Sequence, residues 1–235
     1  MLKRSFDVWL AVAGGVLLSP IVLLLATLIW LQDRRSPFYI APRVGRGGLV
    51  FQMIKFRTMV ANADRLGGSS TASSDARVTT LGRIIRKGKL DEIPQLWNIA
   101  AGHMSFVGPR PQVPSEVDKY TCEERHLLDA IPGLTDFSSI VFADEGDILK
   151  GAPNADAAYD SLIRPWKSRL GLFYVRNRTL QVDCMLIALT AMAILFRRAA
   201  LRGTQRLLSR LGAPFELVRI AARIDPLPIA SPPDE

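Results

Sequence analysis

The longest apolar stretch of the chain lies near its start and runs from Val8 to Leu31 without a charged residue. Lys3, Arg4 and Asp7 precede this stretch, and charged residues follow it closely. As a single helix it would be about 36 Å long, which is enough to cross a bilayer core of about 30 Å. It lacks the short apolar core and the small-residue cleavage site of a signal peptide, so the pattern predicts a membrane helix.

A Ser19-Pro20 pair lies in the middle of this stretch. Because proline lacks a backbone N–H and clashes with the preceding turn, we expect the helix to kink or break there. Each half would then be about 18 Å long, which is too short to cross a bilayer alone. The residues leave two topologies open: a re-entrant hairpin with both ends in the cytoplasm, and a kinked spanning helix. The positive-inside rule does not decide between them, because basic residues flank both ends: Lys3 and Arg4, then Arg34 and Arg35.

Shorter apolar and polar segments predict a β-hairpin, loops and several helices after this stretch. Alternating segments at 37–40 and 49–54 flank the turn Gly45–Gly48 and predict a β-hairpin within Ser36–Met59. A loop of small polar residues is expected at Gly67–Ser74, and turns and loops are expected over Pro132–Asp160. Helices are expected at Thr80–Lys89, Pro94–Ala101, Ser115–Ala130 and Asp156–Arg176.

The last part of the chain holds a second apolar segment, Val182–Phe196, which at 15 residues is marginal for spanning a bilayer. Arginines and leucines alternate after it: Arg197, Arg198, Leu201, Arg202, Arg206, Leu207, Leu208, Arg210 and Leu211. We interpret this pattern as a helix on an anionic membrane surface, because no acidic residue is interspersed; the alternative is an amphipathic helix packed on the core. The proline-rich end, Asp225–Glu235, is expected to be disordered.

The composition favours an anionic partner. Lysine and arginine number 30 against 22 acidic residues, which gives a formal net charge of +8. Hydrophobic residues make up 49% of the chain, which is high for a soluble protein and low for one with many membrane spans. No zinc-ligand spacing, helix-turn-helix or aromatic-rich RNA motif accompanies the charge, so we expect no nucleic-acid partner. Cys122 and Cys184 are far apart, and no disulfide framework is expected.

Asp91 and Glu92 are the candidate catalytic residues. They precede Pro94 at a predicted helix N-terminus, where carboxylates also stabilise a helix without any catalytic role. Arg110 lies between Pro109 and Pro111, which stiffen the backbone on both sides of it. The surrounding sequence is rich in the cations that a diphosphate substrate needs: Lys55, Arg57, Arg77, Arg83, Arg86, Lys87, Lys89 and Arg110.

Several segments in a fixed order resemble the bacterial sugar transferase family, the small monotopic phosphoglycosyl transferases. They are Lys3–Asp7, Ser19-Pro20, Lys55–Met59, Asp75–Thr79, Leu81–Arg83, Lys89–Asn98 and Met104–Pro111, with a weaker match over Tyr174–Thr190 that includes Asp183. The resemblance implies a mainly helical α/β monotopic protein at the cytoplasmic face of the bacterial inner membrane. Its N-terminal helix would be re-entrant and broken at Ser19-Pro20, which selects the hairpin topology.

On this resemblance the chain would consist of a re-entrant membrane helix (1–35), a cytoplasmic catalytic domain (36–181), membrane-surface helices (182–212) and a C-terminal tail (213–235). Asp91 would attack the β-phosphate of a UDP-sugar and release UMP. Polyprenyl phosphate would then take the sugar phosphate from the covalent aspartyl intermediate. Mg²⁺ would neutralise the diphosphate and contact Asp91, and Glu92 would support the reaction as an acid, a base or a metal-orienting group.

The cationic residues receive less specific roles from the resemblance. Arg86 and Arg110, the latter held by Pro109 and Pro111, would bind the nucleotide diphosphate or the lipid phosphate. Lys55 and Arg57 would contact phosphate or fix the fold near the membrane, and the residues do not separate these two roles. Membrane lipids would surround the protein, and a homodimer is compatible with the resemblance.

Three departures from the family pattern leave the Asp91-Glu92 pair untouched and bear on sugar identity and loop geometry. Ala41-Pro42 and His103 replace a usual glutamine and a usual aspartate, and Asp136–Glu145 replaces a usual Gly followed by a Gln-Val segment. The competing hypothesis is a catalytically inactive membrane-docking adaptor, in which both carboxylates would be replaceable. The residues do not identify the sugar or the pathway.

Overall fold

Helices dominate the fold, as the sequence predicts, in a computed structural model that describes residues 2–63 and 75–234. The predicted loop Gly67–Ser74 therefore lies outside the described residues. The strands are β1 (Phe38–Val44), β2 (Val50–Phe56), β3 (Ser105–Val107) and β4 (Gly133–Thr135). The helices are α1 (Leu2–Asp33), α2 (Thr80–Lys87), α3 (Gln95–Ala101), α4 (Pro114–Val117), α5 (Phe137–Val141), α6 (Glu145–Ile148), α7 (Ala155–Leu162), α8 (Arg164–Asn177), α9 (Leu180–Leu195), α10 (Arg197–Arg210) and α11 (Phe215–Ala222).

Helix α1 continues through the Ser19-Pro20 pair. Within the described part of the chain, it is the one helix that is long and apolar enough to cross a membrane, by length and composition. Pro20 has no N–H to donate to the carbonyl of Val16, and the Ser19 hydroxyl donates to that carbonyl instead, at 2.8 Å. The serine thus compensates for the proline, and the helix does not divide into two helices here. The re-entrant topology stays a prediction.

The two ends of α1 both contact the domain that follows. Near its start, Lys3 Nζ lies 2.8 Å from the carboxylate of Asp183, and the buried Asp7 accepts a hydrogen bond from the N–H of Phe106 at 3.2 Å. Near its end, a small buried cluster joins α1 to β2 and α2, formed by Leu25, Ile29, Phe56 and Ile85. The middle of the helix is exposed and apolar, with Leu17 exposing 77% of its surface.

The predicted β-hairpin is present, and its strands are longer than the alternating pattern indicates. Strands β1 and β2 pair antiparallel from Phe38 opposite Phe56 to Val44 opposite Val50. Gly47 closes the turn with a φ of 68°, a left-handed conformation that glycine adopts without strain. The free edge of β2 is bound by Asn98 of α3, whose amide donates to the carbonyl of Gln52 at 2.7 Å and accepts from the N–H of Ile54 at 2.9 Å.

Strands β3 and β4 form a short parallel pair beneath the Gly-Pro-Arg-Pro segment. Ser105 pairs with Gly133 and Val107 with Thr135. A Cβ atom added to Gly133 would lie 2.0 Å from the backbone nitrogen of Gly108, so the close approach of the two chains requires glycine. The main core packs helices α5, α8, α9, α10 and α11 around fully buried side chains that include Trp166, Tyr174 and Leu208.

The prediction of a single helix over Ser115–Ala130 is wrong. Helix α4 ends at Val117, and a separate 3-10 helix covers Glu124–Asp129. The charged pattern is misleading because Glu124 is fully buried and pairs with Arg164 at 2.8 Å and with the hydroxyl of Ser168 at 2.6 Å. These long-range partners, and not a helix period, determine the position of the carboxylate.

Two neighbouring predictions also need correction. The segment Pro132–Asp160, where turns and loops are expected before the helix from Asp156, also includes β4, α5 and α6. The helix expected over Asp156–Arg176 is interrupted at Ile163, between α7 and α8. Pro165 lies at the start of α8, where its missing N–H costs no intrahelical hydrogen bond, so the proline favours a new helix over a continued one.

Helix α10 packs on the protein core through its leucines, contrary to the favoured interpretation that they face a membrane. Leu201 and Leu207 are buried, and Leu208 is fully buried against the cluster that includes α5, α9 and α11. Arg198, Arg202, Arg206 and Arg210 remain exposed on the opposite face. The alternating pattern is therefore that of an amphipathic helix whose apolar side belongs to the domain.

The C-terminal segment, expected to be disordered, is bound along α7 and α8. The indole N–H of Trp166 donates to the carbonyl of Pro228 at 2.9 Å, and the N–H of Ala230 donates to the carbonyl of Ser161 at 3.1 Å. Arg169 donates to the carbonyl of Ser231 at 2.9 Å. A proline-rich segment has few N–H donors. Most of these hydrogen bonds therefore use its carbonyl groups as acceptors.

Candidate active site

Asp91 and Glu92 lie on a 3-10 turn, Leu90–Glu92, between α2 and α3. Lys89 precedes the turn with a φ of 55°, a left-handed conformation that residues other than glycine rarely adopt. Strained backbone of this kind concentrates at functional sites, where the surrounding structure holds it in place. The turn thus presents two adjacent carboxylates at the junction of two helices.

Glu92 is held by two cations from distant parts of the chain. Arg110 Nη2 lies 2.5 Å from Glu92 Oε1, and Lys55 Nζ lies 3.5 Å from the same oxygen. Arg110 Nη1 reaches Glu92 Oε2 at 3.3 Å and also donates to the carbonyl of Leu134 at 2.8 Å. Both oxygens of Glu92 therefore have partners, and Arg110 is fixed between the carboxylate and β4.

Burial and charge perturb all three members of this cluster. Burial opposes ionisation of Glu92, but the charges of Arg110 and Lys55 outweigh it and hold the pKa of Glu92 well below its usual range. The charge of Glu92 raises the pKa of Arg110. Burial lowers the pKa of Lys55, although Glu92 opposes that shift. Glu92 is therefore an anion that keeps its cations in position.

Asp91 differs from its neighbour. It is half-buried and makes no hydrogen bond or ion pair with any residue that the structure describes. Burial raises the pKa of Asp91, the charge of Glu92 adds to that shift, and Lys55 and Arg86 oppose it. The side chain is thus an unengaged carboxylate in a cationic surrounding, which is the state that a nucleophile or a metal ligand requires.

The other two cations predicted to bind substrate, Arg86 and Arg57, lie in different places. Arg86 lies close enough to Asp91 for the carboxylate to oppose the lowering of the Arg86 pKa by burial, and its Nε donates to Thr58 Oγ1 at 2.8 Å. Arg57 is elsewhere: its guanidinium binds Asp33 at the end of α1, with N–O distances of 2.6 and 2.7 Å. Arg57 thus contacts the end of α1, and its role in binding phosphate stays a prediction.

A buried network that the sequence analysis missed supports the segment containing Arg110. The hydroxyl of Tyr174 donates to Asp183 at 2.6 Å or to the carbonyl of Val107 at 3.0 Å, and Lys3 Nζ donates to that carbonyl at 2.9 Å. Gly108, Pro109 and Arg110 follow Val107 directly. Lys3 and Asp183 both lie in segments that match the family. Their contact with each other, which the sequence does not show, is what reveals that they anchor β3.

The site contains few groups for a metal ion. In residues 2–63 and 75–234, no cluster of three or more His, Cys, Asp or Glu side chains is arranged to hold one. Mg²⁺ commonly binds through one or two carboxylates together with substrate phosphates and water. Since Arg110 and Lys55 occupy Glu92, Asp91 is the carboxylate of the pair that would be left to hold such an ion, and the described residues do not form an all-protein cage.

Comparison with known proteins identifies the family. The sequence profile described as bacterial sugar transferase matches residues 1–197. The chain is 34% identical to the exopolysaccharide production protein ExoY of Sinorhizobium fredii over 213 residues, which cover 84% of this chain and 87% of that protein.

Two longer relatives carry more specific names. The chain is 32% identical to the UDP-N-acetylgalactosamine-undecaprenyl-phosphate N-acetylgalactosaminephosphotransferase of Aeromonas hydrophila, over 83% of this chain and 44% of the relative. It is also 32% identical to the undecaprenyl-phosphate galactose phosphotransferase of Salmonella typhimurium, over 85% of this chain and 41% of the relative. The chain spans less than half the length of both proteins. The profile match and these relatives together show that the chain is an enzyme of the bacterial sugar transferase family, as the order of its sequence motifs predicts.

Proposed function

We propose that the chain transfers a sugar 1-phosphate from a UDP-sugar to polyprenyl phosphate, with Asp91 as the nucleophile and UMP as the leaving group. Two relatives are named as transferases that act with undecaprenyl phosphate, and one of these names includes a UDP-sugar. The observation that carries the proposal is the contrast within the carboxylate pair: Arg110 and Lys55 hold Glu92, whereas Asp91 is unengaged. A carboxylate in that state can attack the phosphorus atom of an anionic phosphate group.

The reaction consists of two displacements at the same phosphorus atom. A carboxylate oxygen of Asp91 forms a bond to the β-phosphorus while the bond from that phosphorus to the bridging oxygen breaks. UMP leaves with both electrons of the broken bond. A phosphate oxygen of the lipid then attacks the β-phosphorus, the bond to Asp91 breaks, and the carboxylate is regenerated. The products are UMP and a polyprenyl diphosphate sugar, so atoms and charges balance.

Positive charge makes the first displacement feasible, because a carboxylate and a diphosphate repel each other. The charges of Lys55, Arg86 and Lys89 act on Asp91, and Arg110, which is paired with Glu92, also interacts electrostatically with Asp91. Bound Mg²⁺ would add positive charge to the diphosphate and to the departing UMP. Glu92 would keep Arg110 oriented toward the phosphates without competing with Asp91 for the phosphorus.

We further propose that α1 enters and leaves the membrane on the cytoplasmic face of the bacterial inner membrane. The support is that both ends of α1 contact the same polar domain, through Lys3 with Asp183 and through Asp33 with Arg57. A domain of this kind does not extend across a bilayer core of about 30 Å. The exposed apolar residues of the middle of α1 would then lie in the lipid.

A covalent intermediate provides the decisive test. The full-length protein in detergent, given Mg²⁺ and a panel of UDP-sugars without any lipid acceptor, should release UMP in a burst from its own donor. Peptide mass analysis should find one sugar phosphate on the segment containing Asp91, and hydroxylamine should remove it. Adding polyprenyl phosphate should discharge the adduct as lipid diphosphate sugar.

Asp91→Asn is the matched variant, because it preserves shape while removing the anionic nucleophile. It should lower UMP release by at least about a thousandfold and abolish the adduct. UMP release only when lipid is present, without an adduct, would indicate a single displacement and refute the proposed mechanism. If the wild-type protein released no UMP under any of these conditions, the membrane-docking adaptor would be the better description.

A further inference from the structure

A buried amide beside the catalytic pair has no hydrogen-bonding partner. Gln95, the first residue of α3, exposes only 1% of its surface. Neither its amide nitrogen nor its amide oxygen forms a hydrogen bond with the part of the chain that the structure describes. Burying an unpaired amide is destabilising, so such a group calls for an explanation beyond packing.

The position of Gln95 connects it to the reaction. The backbone from the 3-10 turn into α3 is continuously helical, because Ile93 and Pro94 between them have φ values of −53° and −61° with helical ψ. Gln95 follows Glu92 by three residues and Asp91 by four, which places all three on one face of this segment. Helical side chains lean toward the N-terminus of their helix, so a side chain at this position can extend toward the turn that carries the two carboxylates.

Only one of these carboxylates lacks partners. Arg110 and Lys55 engage Glu92, whereas Asp91 makes no hydrogen bond within the described residues. The next buried amide of α3, Asn98, shows the contrasting case. Both groups of its side chain are paired with β2, and the residue serves to fix the helix on the hairpin.

We propose that Gln95 is a positioning residue for the nucleophile: when the UDP-sugar is bound, its NH₂ group donates to the carboxylate of Asp91 and aims the attacking oxygen at the phosphorus of the donor. This inference rests on the proposed function and specifies how Asp91 is oriented. A correctly aimed carboxylate accelerates the first displacement without tightening donor binding. The expected signature is therefore a change in the rate constant of the UMP burst and not in its dependence on the UDP-sugar concentration.

The test is Gln95→Met in the full-length protein, because methionine has a similar length and volume but no polar atoms to leave unpaired. Relative to wild type, Tm should rise by about 2 to 4 °C, since the variant removes an unsatisfied buried group. At the same time the rate constant of the UMP burst at saturating UDP-sugar should fall about tenfold to a hundredfold, and the UDP-sugar concentration that gives half of the maximal burst rate should not change. A structural residue would lose stability and activity together.

Asn98→Leu is the control for the sign of the stability change. It removes an amide with known partners from the same helix, so its Tm should fall. A lower Tm for Gln95→Met would assign Gln95 a structural role and overturn the inference, and so would a higher Tm with an unchanged rate constant of the UMP burst. If wild-type protein releases UMP, either result refutes only the role of Gln95; if wild-type protein does not, the proposed function itself fails.

Discussion

Asp91 and Glu92 are adjacent in sequence, yet their surroundings shift their pKa values in opposite directions. Burial acts against both anions, but Arg110 forms an ion pair with Glu92 and none with Asp91. The ionised Glu92 then raises the pKa of Asp91 further. One carboxylate is thus a permanent anion, and its neighbour is the group whose charge depends on pH. Two adjacent carboxylates thus differ because Arg110 and Lys55 pair with one of them and not with the other.

This difference predicts the pH dependence of the burst of UMP. Asp91 must be ionised to attack, and its pKa is raised, so the burst rate at saturating UDP-sugar should fall with decreasing pH above the range of an ordinary aspartate. Glu92→Gln removes one cause of the raised pKa and frees Arg110 and Lys55. The acid limb of that variant should therefore move to lower pH. An acid limb at the same pH in both proteins would contradict this account of Asp91.

At the scale of elements, the hairpin, α2 and α3 follow from the sequence because local turn residues and helix signals specify them. The pairing within the site does not, because Glu92 lies 18 residues from Arg110 and 37 from Lys55. The 115–130 region was misread for a similar reason, since Glu124 finds Arg164 40 residues later. Local periodicity records which faces are apolar, and it contains no information about which distant charge meets a buried carboxylate.

Arg57 shows that membership of a motif segment does not fix the partner of a side chain. It lies in a motif segment with Lys55, but it binds Asp33 at the end of α1. Arg57→Ala should lower the free energy of unfolding by about 0.2–1 kcal/mol and leave KM for the UDP-sugar unchanged. Asp33→Ala should have a similar effect, and the double variant should be less destabilised than the sum of the two.

Arg86→Ala is the contrasting variant, because Arg86 acts electrostatically on Asp91. It should reduce kcat/KM for UMP release at least about tenfold, as expected for loss of a charged contact to the phosphates. A tenfold rise in KM for Arg57→Ala would instead return Arg57 to the substrate-binding residues.

At the scale of the whole molecule, both ends of α1 make polar contacts with the domain that follows it. Lys3, Asp7 and Asp33 all have partners in the domain, while the exposed surface of α1 between them is apolar. Ser19 preserves the hydrogen bonding of the helix where Pro20 interrupts it. The arrangement favours a helix whose two ends return to one side of the membrane.

Labelling of introduced cysteines tests this topology. With Cys122 and Cys184 replaced by serine, Ser5→Cys and Ser36→Cys should both react with an impermeant reagent from the cytoplasmic side. Pro20→Leu restores the backbone donor and removes the ring clash, so it should increase the fraction of molecules that span the membrane. Reaction of the two cysteines from opposite sides in the protein with Pro20 intact would show that α1 is a spanning helix.

The bond between Lys3 and the core also has a consequence for the order of events during synthesis. Tyr174, which shares the network with Lys3, lies 171 residues further along the chain. At about 5–20 residues per second, a ribosome needs about ten to thirty seconds to make that interval. The whole of α1 is made early in this interval, and the partners of Lys3 are made only at its end. Lys3 must therefore stay solvated until Tyr174 and Asp183 have been made, and the segment before Arg110 gains this anchor only after the site residues themselves exist.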